Sequence, residues 1–302
     1  MKKLSFLLFT LLVISSGFAQ ETEVVISKKD YAIFSSETGK KAKPQDIVDE
    51  LKDADVIFFG EEHNDSIGHQ LQLMLFKLMF DSYGEKAVLS MEMFDRDVQY
   101  IMDEYLQGLI KQSYFLKDSR KWSNYKDYAP MVEFAKEKGL AVICANAPFR
   151  YVNVATKHGL DGLMKLSEKA KEALAPLPYT LASGAYKAKL DALMGHDPSN
   201  PDSKPSYDMI PGQSLWDATM AYSIYQKLQA KPDSKILHLV GRFHVDEHFG
   251  IVERLKEFDP NIKVVVVSLD GSAENFPKVD ITEYKKNGEY LIFSDPEVPK
   301  SY

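Results

Sequence analysis

The chain has 302 residues and carries 44 acidic against 37 basic side chains, a formal net charge of −7 at pH 7. An acidic chain without a basic stripe lacks the electrostatic footprint of a nucleic-acid binder, so no nucleic acid is expected as a partner. With Cys144 as the only cysteine, an intrachain disulfide is excluded and stability has to come from a buried core.

The first residues read as an address rather than as fold. Lys2 and Lys3 precede an almost uninterrupted apolar run from Leu4 to Ile14, and Ser15, Ser16, Gly17 and Ala19 put small residues before Gln20. This is the pattern of a secretory signal peptide cut after Ala19, and the run falls short of the roughly 20 residues of a bilayer-spanning helix. No cysteine stands directly after the cut, so a lipid anchor is not expected. The mature chain, residues 20–302, is expected in the periplasm as a single α/β domain.

In chain order, Val56–Phe59, Ala87–Met91, Ala141–Cys144, Ile236–Val240 and Val264–Val267 are short, continuously apolar and rich in β-branched residues. Parallel strands covered on both faces have this composition. Helical patterns lie between them. Leu71 to Phe80 is apolar nearly all round and predicts a deeply buried helix. Val98, Ile101, Met102, Tyr105, Leu106 and Leu109 share one helical face, with Asp95 or Asp97 as its expected cap. Met131, Phe134 and Ala135 mark a helix ended by Gly139, and Ile251, Val252, Leu255 and Phe258 mark one stopped before Pro260. From about 152 to 230 no strand is predicted; two or three helices flank the polar, Pro-rich segment at 196–202. Tyr290–Phe293 predicts an added edge strand. Alternation of strand and helix gives an α/β class: a mainly parallel sheet flanked by helices, with a helical insertion.

Two Gly-x-x-His elements, Gly60-Glu61-Glu62-His63 and Gly241-Arg242-Phe243-His244, each follow a predicted strand directly. In open parallel sheets, ligands bind beyond the carboxyl ends of the strands. A third strand end, in Ser90-Met91-Glu92-Met93-Phe94, adds the carboxylate of Glu92 to an apolar surrounding, where it needs a cation, a metal or a proton-sharing partner. Arg96, Arg150 and Arg242 are the candidate cations. Glu61, His63, Glu92 and His244 admit two uses. In one, His63, Glu92 and His244 hold a divalent metal with an open position for water; in the other, His and Glu act as base and acid without metal. His238 lies inside a strand and reads as a core residue. His69 falls on the first helix with no evident partner, and His158 and His196 read as surface positions. His244 and His248 have the spacing of a zinc-protease pair, but Val245 stands where that motif has Glu, so the motif is rejected.

Several ordered motifs together resemble the ChaN-like haem-binding proteins of the Tiki/TraB superfamily. They are Phe59-Gly60-Glu61-Glu62-His63-Asn64; Met91-Glu92-Met93-Phe94-Asp95-Arg96 with Gln99; Trp122 and Tyr128-Ala129-Pro130; Asn146-Ala147-Pro148 with Arg150; Gln213 through Ala221; and Gly241-Arg242-Phe243-His244 with Ile251-Val252-Glu253-Arg254-Leu255. The resemblance spans about Val56 to Leu269. It implies an exported haem-binding protein of iron or haem uptake, with Tyr or His as axial ligand, a homodimer, and envelope haem-uptake components as partners. Related branches resemble metal-dependent proteases and esterases using the same Gly-x-x-His and Glu positions. His63, Glu92 and His244 match the motifs directly. The haem-ligating tyrosine has no motif to anchor it, and Tyr179, Tyr186 and Tyr207 in the insertion are its candidates. The competing function is a hydrolase, metal-dependent or not, built on Glu61, His63, Glu92 and His244.

Overall fold

The computed structural model describes residues 26–193, 195 and 208–302. The signal segment, His196 with the Pro-rich stretch it opens, and Tyr207 lie outside the described residues.

Seven strands form one sheet: β1 (Tyr31–Ser35), β2 (Val56–Glu61), β3 (Ala87–Asp95), β4 (Ala141–Asn146), β5 (Lys235–Gly241), β6 (Val264–Asp270) and β7 (Tyr290–Ser294). Their spatial order is β1-β7-β6-β2-β5-β3-β4, parallel throughout except for β1 against β7. The five predicted central strands are all present, and β2 is buried along its whole length, as its uninterrupted apolar sequence requires. Two expectations change at the sheet margin. The strand at 290–293 is interior, because β1 covers it. Tyr31–Ser35 is only half-buried and too short to stand out from its polar surroundings.

The helices are α1 (Pro44–Asp49), α2 (Ser66–Tyr83), α3 (Gln99–Leu106), α4 (Gln112–Asp118), α5 (Tyr125–Lys138), α6 (Phe149–Met164), α7 (Glu168–Lys171), α8 (Gly184–Leu193), α9 (Ile210–Ala230) and α10 (Ile251–Phe258). Side chains alternate across a strand, so β2 sends Ile57 and Phe59 to one face and Val56 and Phe58 to the other. The first pair packs with Leu71, Leu75, Phe76 and Met79 of α2 and Met131 and Val132 of α5. The second packs with Met220, Ala221 and Ile224 of α9 and Ile251, Val252 and Leu255 of α10. The insertion is helical where it is described, through α6 to α9.

Helix starts depart from the expected capping. Neither Asp95 nor Asp97 caps α3; a 3₁₀ turn, Arg96–Val98, intervenes, and both carboxylates bond Arg120 instead. Asp65 caps α2, accepting from the Gly68 amide at 2.7 Å. At the outer edge of β4 the Gln99 side chain stands in for a neighbouring strand: its amide donates to the Val142 carbonyl and accepts from the Cys144 amide, each at 2.8 Å.

Candidate functional site

β2, β5 and β3 are consecutive neighbours, so their carboxyl ends open at one place. Glu61 lies in register with Gly241, and the Gly241 amide donates to Glu92 Oε2 at 2.8 Å. Gly60 and Gly241 make this closeness possible. A Cβ on Gly60 would lie 2.9 Å from Arg242 Cα and 3.0 Å from Val245 Cγ2; one on Gly241 would lie 2.9 Å from His63 Nε2. The imidazole of His63 therefore rests above the bare Cα of Gly241, beside Glu92.

Glu61 is a buried carboxylate with a full set of donors. His63 Nδ1 bonds its Oε1 at 2.7 Å, Tyr128 donates to the same oxygen at 2.5 Å, and the Gln72 amide donates to Oε2. Burial alone would raise its pKa, but the His63 bond and the charges of His69 and His63 hold the carboxyl below its ordinary value. The loop is pinned as well: Asn124 Nδ2 and His69 Nε2 bond the His63 carbonyl at 3.1 and 3.2 Å, and the Trp122 ring meets the imidazole edge-on at 5.0 Å. With Nδ1 committed to Glu61, the Nε2 of His63 faces the Glu92 side. Burial pulls the His63 pKa down, and the Glu61 bond together with the charge of Glu92 outweighs it, leaving the pKa raised.

His244 follows β5 in a 3₁₀ turn, Arg242–His244, and is buried. Its Nδ1 bonds Asp217 Oδ1 at 2.6 Å, its Nε2 lies 3.9 Å from Glu92 Oε1, and Tyr186 donates to the other Asp217 oxygen at 2.8 Å. Burial opposes its charge, but Asp217 and Glu92 outweigh burial and raise its pKa to about 9. Two histidines with raised pKa values, the buried His244 and the half-exposed His63, thus stand on either side of Glu92.

The structure brings Glu61, His63, Glu92 and His244 together and sends the three arginines elsewhere. Arg96 bonds Ser223 and the Glu172 carbonyl, Arg150 pairs with Asp97, and Arg242 meets Asp270 at 3.1 Å. The partners of Glu92 are the Gly241 amide and His244. The metal expectation finds no support: the described residues hold no group of three or more His, Cys, Asp or Glu side chains arranged for an ion. Tyr186 is buried and committed to Asp217, Tyr179 donates to the Pro211 carbonyl at 2.8 Å, and Tyr207 is outside the described residues. His238 is a core residue bonded to Ser90 at 2.8 Å, and His248 pairs with Glu289, away from His244.

Sequence reasoning missed Gln72 and gave no role to His69 or to Asp217, which it held only as part of the Gln213–Ala221 motif. Asp217 sits in mid-helix with no spacing that points to a histidine partner. His69 and Gln72 carried a signal, two polar residues three apart on the face of an otherwise apolar helix.

Residues 47–255 match the family described as "Haem-binding uptake, Tiki superfamily, ChaN". The chain belongs to this family. Among solved structures, the ChaN-family member of Campylobacter jejuni, described as binding haem cofacially, shares 21% identity with a TM-score of 0.64, over 89% of this chain and 98% of that one. The type III effector HopBA1 matches with a TM-score of 0.48 at 11% identity, covering 84% of this chain and 94% of that one. The erythromycin esterase EreC matches at 0.47 and 10%, covering 88% and 83%. No curated protein matches the chain. The ChaN likeness establishes the shared α/β fold.

Proposed function

We propose that this protein binds haem as cargo and serves haem or iron uptake in the cell envelope, exported by its N-terminal segment and working as a homodimer with envelope uptake partners. The observation that supports this is family membership, which runs across 47–255 and so takes in all three strand ends and the whole helical insertion. The strand-end site itself is dense with paired charges and suits no apolar ring, so the cargo belongs on the helical side of the molecule. Haemin titrated into the purified mature protein should give a saturable Soret shift. An absorbance that only follows free haemin sinks the proposal. Tyr179→Phe, Tyr186→Phe and Tyr207→Phe, titrated beside it, report whether any of the three holds the iron.

A second reading rests on a separate observation: two histidine–carboxylate pairs, Glu61–His63 and Asp217–His244, flank Glu92. This arrangement supports hydrolysis of an ester or peptide. His63, oriented by Glu61, takes a proton from water at Nε2, and the His244 imidazolium, held by Asp217, stabilises negative charge building beside Glu92. His63→Ala and His244→Ala should each cut turnover by about 10²–10⁴-fold on an ester and peptide panel. Unchanged turnover in both removes the basis of this reading.

A further inference from the structure

We infer that the cavity along the free edge of β4 binds a small organic monocarboxylate, with its head on Arg96 and its apolar body against the strand. β4 is the last strand on its side of the sheet. α3 packs with Val142 and Cys144 on one face of it, and α9 with Ala141 and Ile143 on the other. The space left between the two helices measures about 700 Å³. Small-molecule sites are clefts of roughly 300–1,000 Å³, mostly apolar, with a few polar groups that fix orientation. Here β4 from Ala141 to Cys144 and the exposed Tyr100 supply the apolar part. Glu61, His63, Glu92 and His244 are not among the lining residues, so the cavity is separate from the strand-end site and independent of both readings above.

Arg96 is the polar group. It stands where the chain leaves β3 and was expected to neutralise Glu92, but it lines this cavity instead. Its Nε donates to the Glu172 carbonyl at 3.3 Å, Nη1 to the Ser223 hydroxyl at 2.9 Å and Nη2 to the Gln226 amide oxygen, and the guanidinium lies 5.1 Å from the Tyr222 ring centre. All these partners are neutral, and no carboxylate of the described residues pairs with Arg96. Burial pulls its pKa below the ordinary value, as befits a cation short of a counter-charge. Three of its five N–H groups are used by these bonds, and the remaining two suit a carboxylate.

The charges of the other lining residues select the ligand. Asp97 is balanced in a cluster with Asp95, Arg120 and Arg150, and Glu172 pairs with Lys169 at 2.6 Å. Arg96, Lys227 and Asp103 remain, two cations against one carboxylate. One negative charge completes the balance; a dianion leaves a surplus beside Asp103. Gln99 decides against an added peptide strand. Its amide bonds Asp103 at 2.9 Å and already occupies the Val142 carbonyl and the Cys144 amide, the groups such a strand would need.

The test is calorimetric titration of the purified mature protein with phenylbutyrate and octanoate, with the uncharged phenylbutyramide and inorganic phosphate beside them. At least one acid should saturate, with the amide and phosphate weaker by about tenfold or more. Arg96→Gln should weaken the acid by about tenfold or more. Asp103→Asn, at an exposed position on α3, should tighten it by about threefold, because it removes the one unbalanced carboxylate. No saturable heat with either acid overturns the assignment, as does an amide that binds as tightly as its acid. Arg96→Gln binding like the parent does the same. If Arg96→Gln does not fold, Asp103→Asn decides, and binding no tighter than the parent's overturns the assignment.

Discussion

At the scale of single residues, the site is governed by what each imidazole does with Nδ1. Glu61 and Asp217 each claim that nitrogen, so both rings turn Nε2 toward Glu92, and both have raised pKa values. His244 is buried between Asp217 and Glu92 and has its pKa raised to about 9, from an ordinary value of 6.5. A histidine whose folded value is raised contributes stability that is fully present below its unfolded value and lost as pH rises through the folded one. The contribution of His244 is therefore whole below about pH 6.5 and fades up to about pH 9. Asp217→Asn should remove this slope and destabilise the protein by about 3 kcal/mol at pH 7, the cost of breaking a buried pair. Urea unfolding of parent and variant at pH 6 and 9.5 checks both statements; parallel losses at the two pH values would mean that the pair is not what sets the slope. His238, two strand positions before the Val240–Gly241 exit, shows the opposite case: burial pushes its pKa down to about 3, and it stays neutral in the core.

At the scale of elements, strands and helices were legible in the sequence wherever burial was complete. The runs at 56–59, 87–91, 141–144, 236–240 and 264–267 are apolar on both faces because helices cover both faces of the sheet. That physical demand writes itself into consecutive residues. β1 escaped because an edge strand of five residues needs only two buried side chains, Ala32 and Ile33. The strand ends were legible for a related reason: a glycine followed three residues later by histidine, or a lone Glu92 in an apolar run, breaks the pattern where the chain leaves the core. The supporting shell was not, since Asp217, Tyr128 and Asn124 reach the site from α9, α5 and the turn before α5, with no local sequence relation to it. Gly60 is the element-scale test. Gly60→Ala places a methyl 2.9 Å from Arg242 Cα, which belongs to the backbone of the turn that carries His244. The substitution should cost about 1–3 kcal/mol by overpacking. An unchanged urea midpoint would show that the two strand exits are not in rigid contact.

At the scale of the whole molecule, the proposal of export makes a simple demand. Expressed with its leader in a secreting bacterium, the protein should be recovered from the periplasm with Gln20 as its first residue, read by intact mass. Recovery of the uncleaved chain from the membrane fraction would contradict cleavage after Ala19. One further consequence follows from the pairing of β1 with β7, in which Tyr31 faces Ser294. The first strand of the sheet has the last as its neighbour, and β6 is bordered on that side by β7 alone. A nascent chain emerging from its N-terminus therefore cannot close this flank of the sheet until β7 is available. Contacts of such long sequence separation form slowly, because the entropy of closing the intervening loop is lost before the contact is gained. This flank therefore closes late, and β1 waits for the strand that holds it.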